Sequence, residues 1–218
     1  MIIILIHIFR KERQVQYPNF YTKIEPLKLY DPLSDFLGAF NDGIIEINYL
    51  DCVKLAGHSC PTVAGAYIMT LHGLNALYPD SLPQRGSITV SIRDDRSKGV
   101  AGVIGNIISF ITGASDEAGF KGIQGNFSRN NLLTYNEPIV GEVKFTRIDT
   151  AESVIISYDP SSIPADEKMK PLMMKTLQKI ASDEEKQTFQ ILWQKRVENI
   201  LLSRDLWNSI ITIQKGEQ

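Results

Sequence analysis

Two cysteines and three histidines are all the thiols and imidazoles that this 218-residue chain possesses. So few cysteines exclude a disulfide framework. A single Cys52–Cys60 bridge is allowed by spacing, but a reduced pair in a cytoplasmic protein is the stronger expectation. There is no Cys-x-x-Cys pair, which removes support for a thioredoxin-like mechanism. The net charge is −2 and no block of basic residues stands out, so a nucleic-acid partner is not expected. No glycine-rich stretch ends in Gly-Lys-Ser/Thr, which excludes a P-loop. The apolar run Met1–Phe9 is too short to span a bilayer, and a membrane partner is not expected. It has no basic segment before it and no small-residue cleavage site after it, unlike a signal peptide. It reads either as a β-strand or as an extension upstream of the native start. Internal repeats and low-complexity segments are also missing.

What is present suits an ordinary globular protein, 43% hydrophobic and 22% charged. The length allows one well-filled core, or one core plus a small appendage. Residues 1–30 read as an N-terminal arm and 31–165 as the core. Residues 166–218 read as a C-terminal helical extension, belonging to the same domain or serving dimerisation. Asp31 and Pro32 suit the N-cap and first position of a helix, with Leu33, Phe36, Leu37 and Phe40 on one face. After a turn at Asp42-Gly43, the residues Ile44, Ile45, Ile47, Tyr49 and Leu50 predict a strand that runs on towards His58. From Pro61 the positions Ala64, Tyr67, Ile68, Leu71 and Leu74 repeat at helical spacing, and the helix ends by Pro79. Ser87–Arg93 alternates as a strand. Val100–Thr112, with three small residues, predicts a buried helix. Ile139–Ile148 and Ser153–Tyr158 predict a hairpin. Helices are expected over 168–181 and 183–203, the second opened by a Ser182/Glu185 capping box. A last strand is expected over Trp207–Ile213. Strands and helices interleave without a regular βαβ repeat, so the expected class is α+β, a mixed or antiparallel sheet packed with helices in a single main domain.

The scarce ligands are gathered in one place. Ala56-Gly57-His58-Ser59-Cys60-Pro61 sets an imidazole and a thiol two residues apart, just before the helix at Pro61, and Cys52 lies eight residues earlier. On an extended strand, residues i and i+2 face the same side, so His58 and Cys60 reach one ion. Zinc accepts thiolate and imidazole at about 2.0–2.3 Å, and an open site needs about three protein ligands. Cys52 is the natural third, with Asp51 and His72 as competitors. Pro61 at the first helical position puts Cys60 at the N-cap, where negative charge on sulfur is favoured, so Cys60 is also a candidate nucleophile or redox sensor. The plainer alternative is a buried structural Cys beside a hydrogen-bonded His.

Other features carry less. Backbone amides near Gly119-Phe120-Lys121-Gly122, with Arg129 close by, suit either an anion or a structural loop. Arg93-Asp94-Asp95-Arg96 reads first as an exposed turn with local ion pairs. Phe189, Trp193 and Trp207 form an aromatic stripe, either core or dimer interface.

Gly57-His58-Ser59-Cys60-Pro61 followed by Gly65-Ala66-Tyr67 resembles the Gly-His-x-Cys-Pro…Gly-Tyr signature of the FmdE-like family, named after a component of formylmethanofuran dehydrogenase. Ile107-Ile108-Ser109-Phe110-Ile111-Thr112-Gly113-Ala114-Ser115 looks like that family's later helix leading to Thr-Gly-Cys-Thr. Phe127-Ser128-Arg129-Asn130-Asn131-Leu132 is similar to its Gly-Lys-Gly-Asn-Leu region. The resemblance covers about residues 45–160. Ala56 stands where the family commonly has a leading His, and Ala114 where it has its later Cys. What carries over is His58 and Cys60, with Cys52 as a compensating ligand outside the signature. The resemblance implies an α+β core, often dimeric, that binds zinc or another divalent transition metal. The family's name does not hand on a substrate. Three functions are therefore expected in turn: a metal-binding FmdE-like protein using His58, Cys60 and Cys52, a thiol-dependent enzyme or redox sensor using Cys60, and a non-catalytic scaffold that either binds a small-molecule ligand or is dimeric. A homodimer with an unknown small-molecule ligand is the expected partnership.

Overall fold

The computed structural model describes residues 15–216, and the reading of Met1–Phe9 falls outside them. A 3-10 turn at Asn19–Lys23 leads into β1 (Leu27–Tyr30). Asp31 then opens α1 (Pro32–Leu37), its carboxylate accepting the Leu33 and Ser34 N–H groups, with Pro32 at the first position. The helix ends at Gly38, which is left-handed at φ 64. β2 (Ile44–Ile47) returns antiparallel to β1, pairing Leu27 with Ile47 and Tyr30 with Ile44.

The expected strand towards His58 stops at Ile47, and α2 (Tyr49–Ala56) replaces the rest of it. The reason is local. Asn48 and Asp51 form a capping box, in which the Asp51 carboxylate accepts the Asn48 N–H at 3.0 Å. Tyr49, Cys52, Val53 and Ala56 then fall at helical spacing, with Tyr49 and Cys52 fully buried. The turn Gly57–Cys60 leads directly into α3 (Pro61–Leu77).

α3 is apolar on nearly every side and most of it is buried. Such a helix belongs inside a core. Its neighbours are β5, β6, α2, α4 and α6. β3 (Ile88–Ile92) buries alternate residues, Ile88, Val90 and Ile92. α4 (Ala101–Thr112) packs along α3. The short β4 (Leu133–Thr134) pairs parallel with β3, and β5 (Val143–Arg147) pairs antiparallel with it. β6 (Ser153–Tyr158) completes the expected hairpin. α5 (Met169–Leu177) is shorter than expected, and α6 (Asp183–Leu202) opens on the Ser182/Glu185 capping box. Trp207–Ile210 forms a single helical turn, α7, in place of the expected strand. The strand proper, β7 (Ile211–Lys215), follows it and pairs with β6. The main sheet therefore runs β4-β3-β5-β6-β7. This is an α+β fold, with one mixed and one antiparallel sheet.

Glycines let α3 lie close on that sheet. A methyl on Gly73 would stand 2.7 Å from the Phe145 ring, and one on Gly65 would overlap the Tyr158 ring. Both aromatic residues come from the β5–β6 hairpin. Tyr158 donates its hydroxyl to the Pro61 carbonyl at 3.0 Å, which ties the start of α3 to the sheet.

Candidate functional site

Gly57 ends α2 in the left-handed conformation, φ 74, and its N–H reaches the Val53 carbonyl at 2.8 Å. The chain reverses there and places three consecutive side chains in three environments. His58 is exposed, whereas Ser59 and Cys60 are buried.

His58 Nδ1 lies 2.9 Å from the Ala56 carbonyl oxygen. A carbonyl only accepts, so Nδ1 is the donor in this contact, and in the neutral imidazole that leaves the lone pair on Nε2. This is the tie that fixes the tautomer of many metal-binding and catalytic histidines. It also means that the imidazole is engaged with its own backbone rather than with the Cys60 thiol.

Ser59 anchors the turn from below. Its hydroxyl pairs with that of Tyr49 at 3.0 Å, and its carbonyl accepts Trp193 Nε1–H at 2.9 Å and the Gln194 amide at 3.4 Å. Gln194 in turn accepts the Tyr21 hydroxyl at 3.3 Å. Tyr49 packs edge-on against both Tyr21 and Tyr67, with centroids 5.3 and 5.6 Å apart. Burial raises the Tyr49 hydroxyl well above the ordinary phenol range and raises that of Tyr21 too, so both stay protonated. Residues from the N-terminal arm, α2 and α6 thus converge on Ser59: α6 on its carbonyl, α2 on its hydroxyl, and the arm through Gln194.

Cys60 is the N-cap of α3, and its sulfur accepts the Val63 N–H at 3.4 Å. It is 9% exposed. Cys52 is 0% exposed, inside the core, and its thiol is pushed up to about 12, by burial first and by Asp51 second. Both cysteines are free. Asp51 is occupied as the α2 cap, with Lys54 3.7 Å away. His72 meets the Trp207 ring edge-on at 5.2 Å, and its buried Nε2 has no partner among the described residues. The turn therefore brings His58 and Cys60 close in sequence but gives them different environments, and Cys52 faces the core. Among the described residues no group of three or more His, Cys, Asp or Glu side chains is arranged to hold a metal. His58 Nε2 has the form that a zinc ligand needs. Cys52, held protonated by burial, does not.

Two clefts meet at the imidazole. One, of about 440 Å³, lies between the end of α2 and α4, lined by Leu55, Ala56, Val103, Asn106 and Ile107. The other, of about 490 Å³, lies between the N-terminal arm and α6, lined by Pro18, Tyr21, Ser59, Phe189 and Trp193. His58 borders both.

The glycine loop takes its structural reading. Arg129 turns inward, 7% exposed, and binds the Asp31 carboxylate at 2.6 Å, with Arg85 on the other carboxylate oxygen at 2.7 Å. Arg85 also caps α4 through the Phe110 and Ile111 carbonyls, where the negative end of that helix helps balance the second guanidinium. Several loop amides are spent internally: Gly119 on Asp116, Arg129 on Phe120, and Ile123 on Asn126. The acidic turn carries an expected local pair, Asp94 with Lys98, and a longer-range one, Arg96 with Asp116, both at 2.8 Å. Trp193 and Trp207 pack against the core, and Phe189 faces the second cleft. Sequence reasoning missed Ser59, Tyr21 and Gln194. Nearness along the chain to His58 hinted at Ser59, and nearness to Trp193 at Gln194, whereas nothing local hinted at Tyr21. No protein-family model matches the chain, and no curated protein matches it.

Proposed function

We propose that the chain is a binding protein that presents His58 Nε2, as a fixed lone pair, to a small-molecule ligand lodged beside the turn. The observation that carries this is the Nδ1 contact with the Ala56 carbonyl. It commits one imidazole nitrogen to the backbone and leaves the other, in the neutral ring, as an acceptor where two clefts meet, the one at α6 mainly apolar. Apolar concavity with a few placed polar atoms is the usual composition of a ligand site. The test is a fragment library read by protein-observed NMR. Hits should cluster on His58, Ala56 and Ser59, and should disappear in His58→Ala. Hits that avoid the turn, or that survive in His58→Ala, contradict the proposal.

A second reading is a zinc-class ion on His58 and Cys60, as the resemblance to the FmdE-like family implies. The same Nδ1 tie favours it, since metal-bound imidazoles are commonly oriented this way. Zinc content of the purified protein and of the His58→Ala, Cys60→Ser variant decides it. Stoichiometric zinc lost in the variant supports the ion, and equal, near-zero zinc in both removes it.

A further inference from the structure

The two clefts at His58 differ in their walls. The α2–α4 cleft is mixed, with aliphatic Leu55, Val103 and Ile107 beside Phe110, Asn106 and Ser109. The α6 cleft is aromatic: Phe189 and Trp193 lie 5.7 Å apart with rings inclined at 54°, and Tyr21 and Pro18 face them. No Asp, Glu, Lys or Arg lines the α6 cleft among the described residues. A charged ligand would lose its hydration there and gain no counter-charge, which is costly. The polar atoms in its walls are already engaged. Trp193 Nε1–H and the Gln194 amide go to the Ser59 carbonyl, the Tyr21 hydroxyl goes to Gln194, and the Ser59 hydroxyl pairs with Tyr49. The acceptor left over is His58 Nε2, with the exposed Gln190 amide at the rim.

We infer that the α6 cleft takes an uncharged, planar aromatic ligand that stacks beside Trp193 and Phe189 and donates one O–H or N–H to His58 Nε2. Aromatic faces favour a flat ring in offset or edge-on contact, and a fixed lone pair selects a donor over an isostere without one. The inference rests on the proposed function at His58, because it uses the same nitrogen.

Phenol, anisole and benzoate separate the requirements, since they share a ring and differ in donor and charge. The probes are titrated at about pH 8, above the ordinary imidazole range. The readouts are the Trp193 indole N–H, the His58 ring protons and the Asn106 side-chain amide. Trp207→Phe assigns the two indole signals. Phenol should shift Trp193 and His58 and leave Asn106 and Trp207 in place. Anisole should bind about fivefold more weakly, the worth of one hydrogen bond, and benzoate more weakly still. Phe189→Ala, on a partly exposed face, should weaken phenol without unfolding the protein. Benzoate binding as well as phenol overturns the inference. A phenol response at Asn106 in place of Trp193 overturns it too, but leaves His58 as the site. If phenol still shifts Trp193 in His58→Ala with undiminished affinity, the role of His58 fails, and the proposed function fails with it.

Discussion

A carbonyl oxygen cannot donate, so in the neutral imidazole the 2.9 Å contact from Ala56 to His58 Nδ1 decides which ring nitrogen holds the proton. Comparable single-residue arguments apply to the other scarce side chains. Cys60 stabilises α3 as an acceptor for the Val63 N–H, a task that a serine hydroxyl performs as well. Cys60→Ser should therefore keep its unfolding midpoint close to that of the parent protein. Cys60→Ala should lose about 0.5–1 kcal/mol in urea denaturation. An equal loss in both variants would place the value of Cys60 in packing or metal ligation instead. His72 gives a pH dependence. Burial holds its imidazole below the ordinary value, and the unfolded chain titrates near that value, about 6.5. Between the two, the unfolded state binds more protons. The contribution of His72 is thus intact above about pH 6.5 and is lost as pH falls through the lower, folded value. Unfolding midpoints of the parent protein should fall more steeply below about pH 6.5 than those of His72→Gln. Parallel curves would show that His72 titrates alike in both states.

At the scale of elements, the caps decide where segments begin. Asp31-Pro32 and Ser182 with Glu185 were legible in the sequence because a cap is written within four residues. The Asn48/Asp51 box is equally local, yet the run of isoleucines before it suggests a strand that continues. Tyr49 and Leu50 suit either period when considered alone. Trp207–Ile210 misleads in the same way, since its apolar residues fit a strand until the turn at Arg204–Leu206 starts it as a helix. Asp31 carries more than a cap. Burial alone would raise its carboxyl, but the Ser34 N–H, Arg129 and Arg85 together hold it below the usual carboxylate range. It links α1 to the glycine loop and, through Arg85, to the end of α4. Asp31→Asn should cost about 3–5 kcal/mol, because it leaves two guanidinium groups facing a neutral amide. Its lowered folded value means that this stability is present above about pH 4 and is lost as pH falls through the folded value. A loss below about 1 kcal/mol in denaturant titrations would show that the cluster is solvated as an exposed ion pair is.

For the whole molecule, the α+β class was legible because it follows from the order of periodic segments. The site was legible only at its centre. His58 and Cys60 stood out by rarity, whereas the floor and walls come from the arm, α2 and α6, as with Tyr21 and Gln194, 173 positions apart. No local pattern encodes such a meeting, which arises when α6 folds back over α3. The same long-range packing separates residues that spacing grouped: helical α2 carries Cys52 into the core, while the Gly57 reversal leaves His58 at the surface. Among the described residues, no helix is long and apolar enough to cross a membrane. Everything proposed for function depends on one imidazole holding one proton in one place. Long-range ¹⁵N–¹H correlation spectra of the histidine side chains, taken above the ordinary imidazole range, report that place directly. The expected result for His58 is a protonated Nδ1 and an unprotonated Nε2, with Nδ1–H protected from exchange by Ala56. A His58 signal with the proton on Nε2, or averaged rapidly between the two nitrogens, would contradict it.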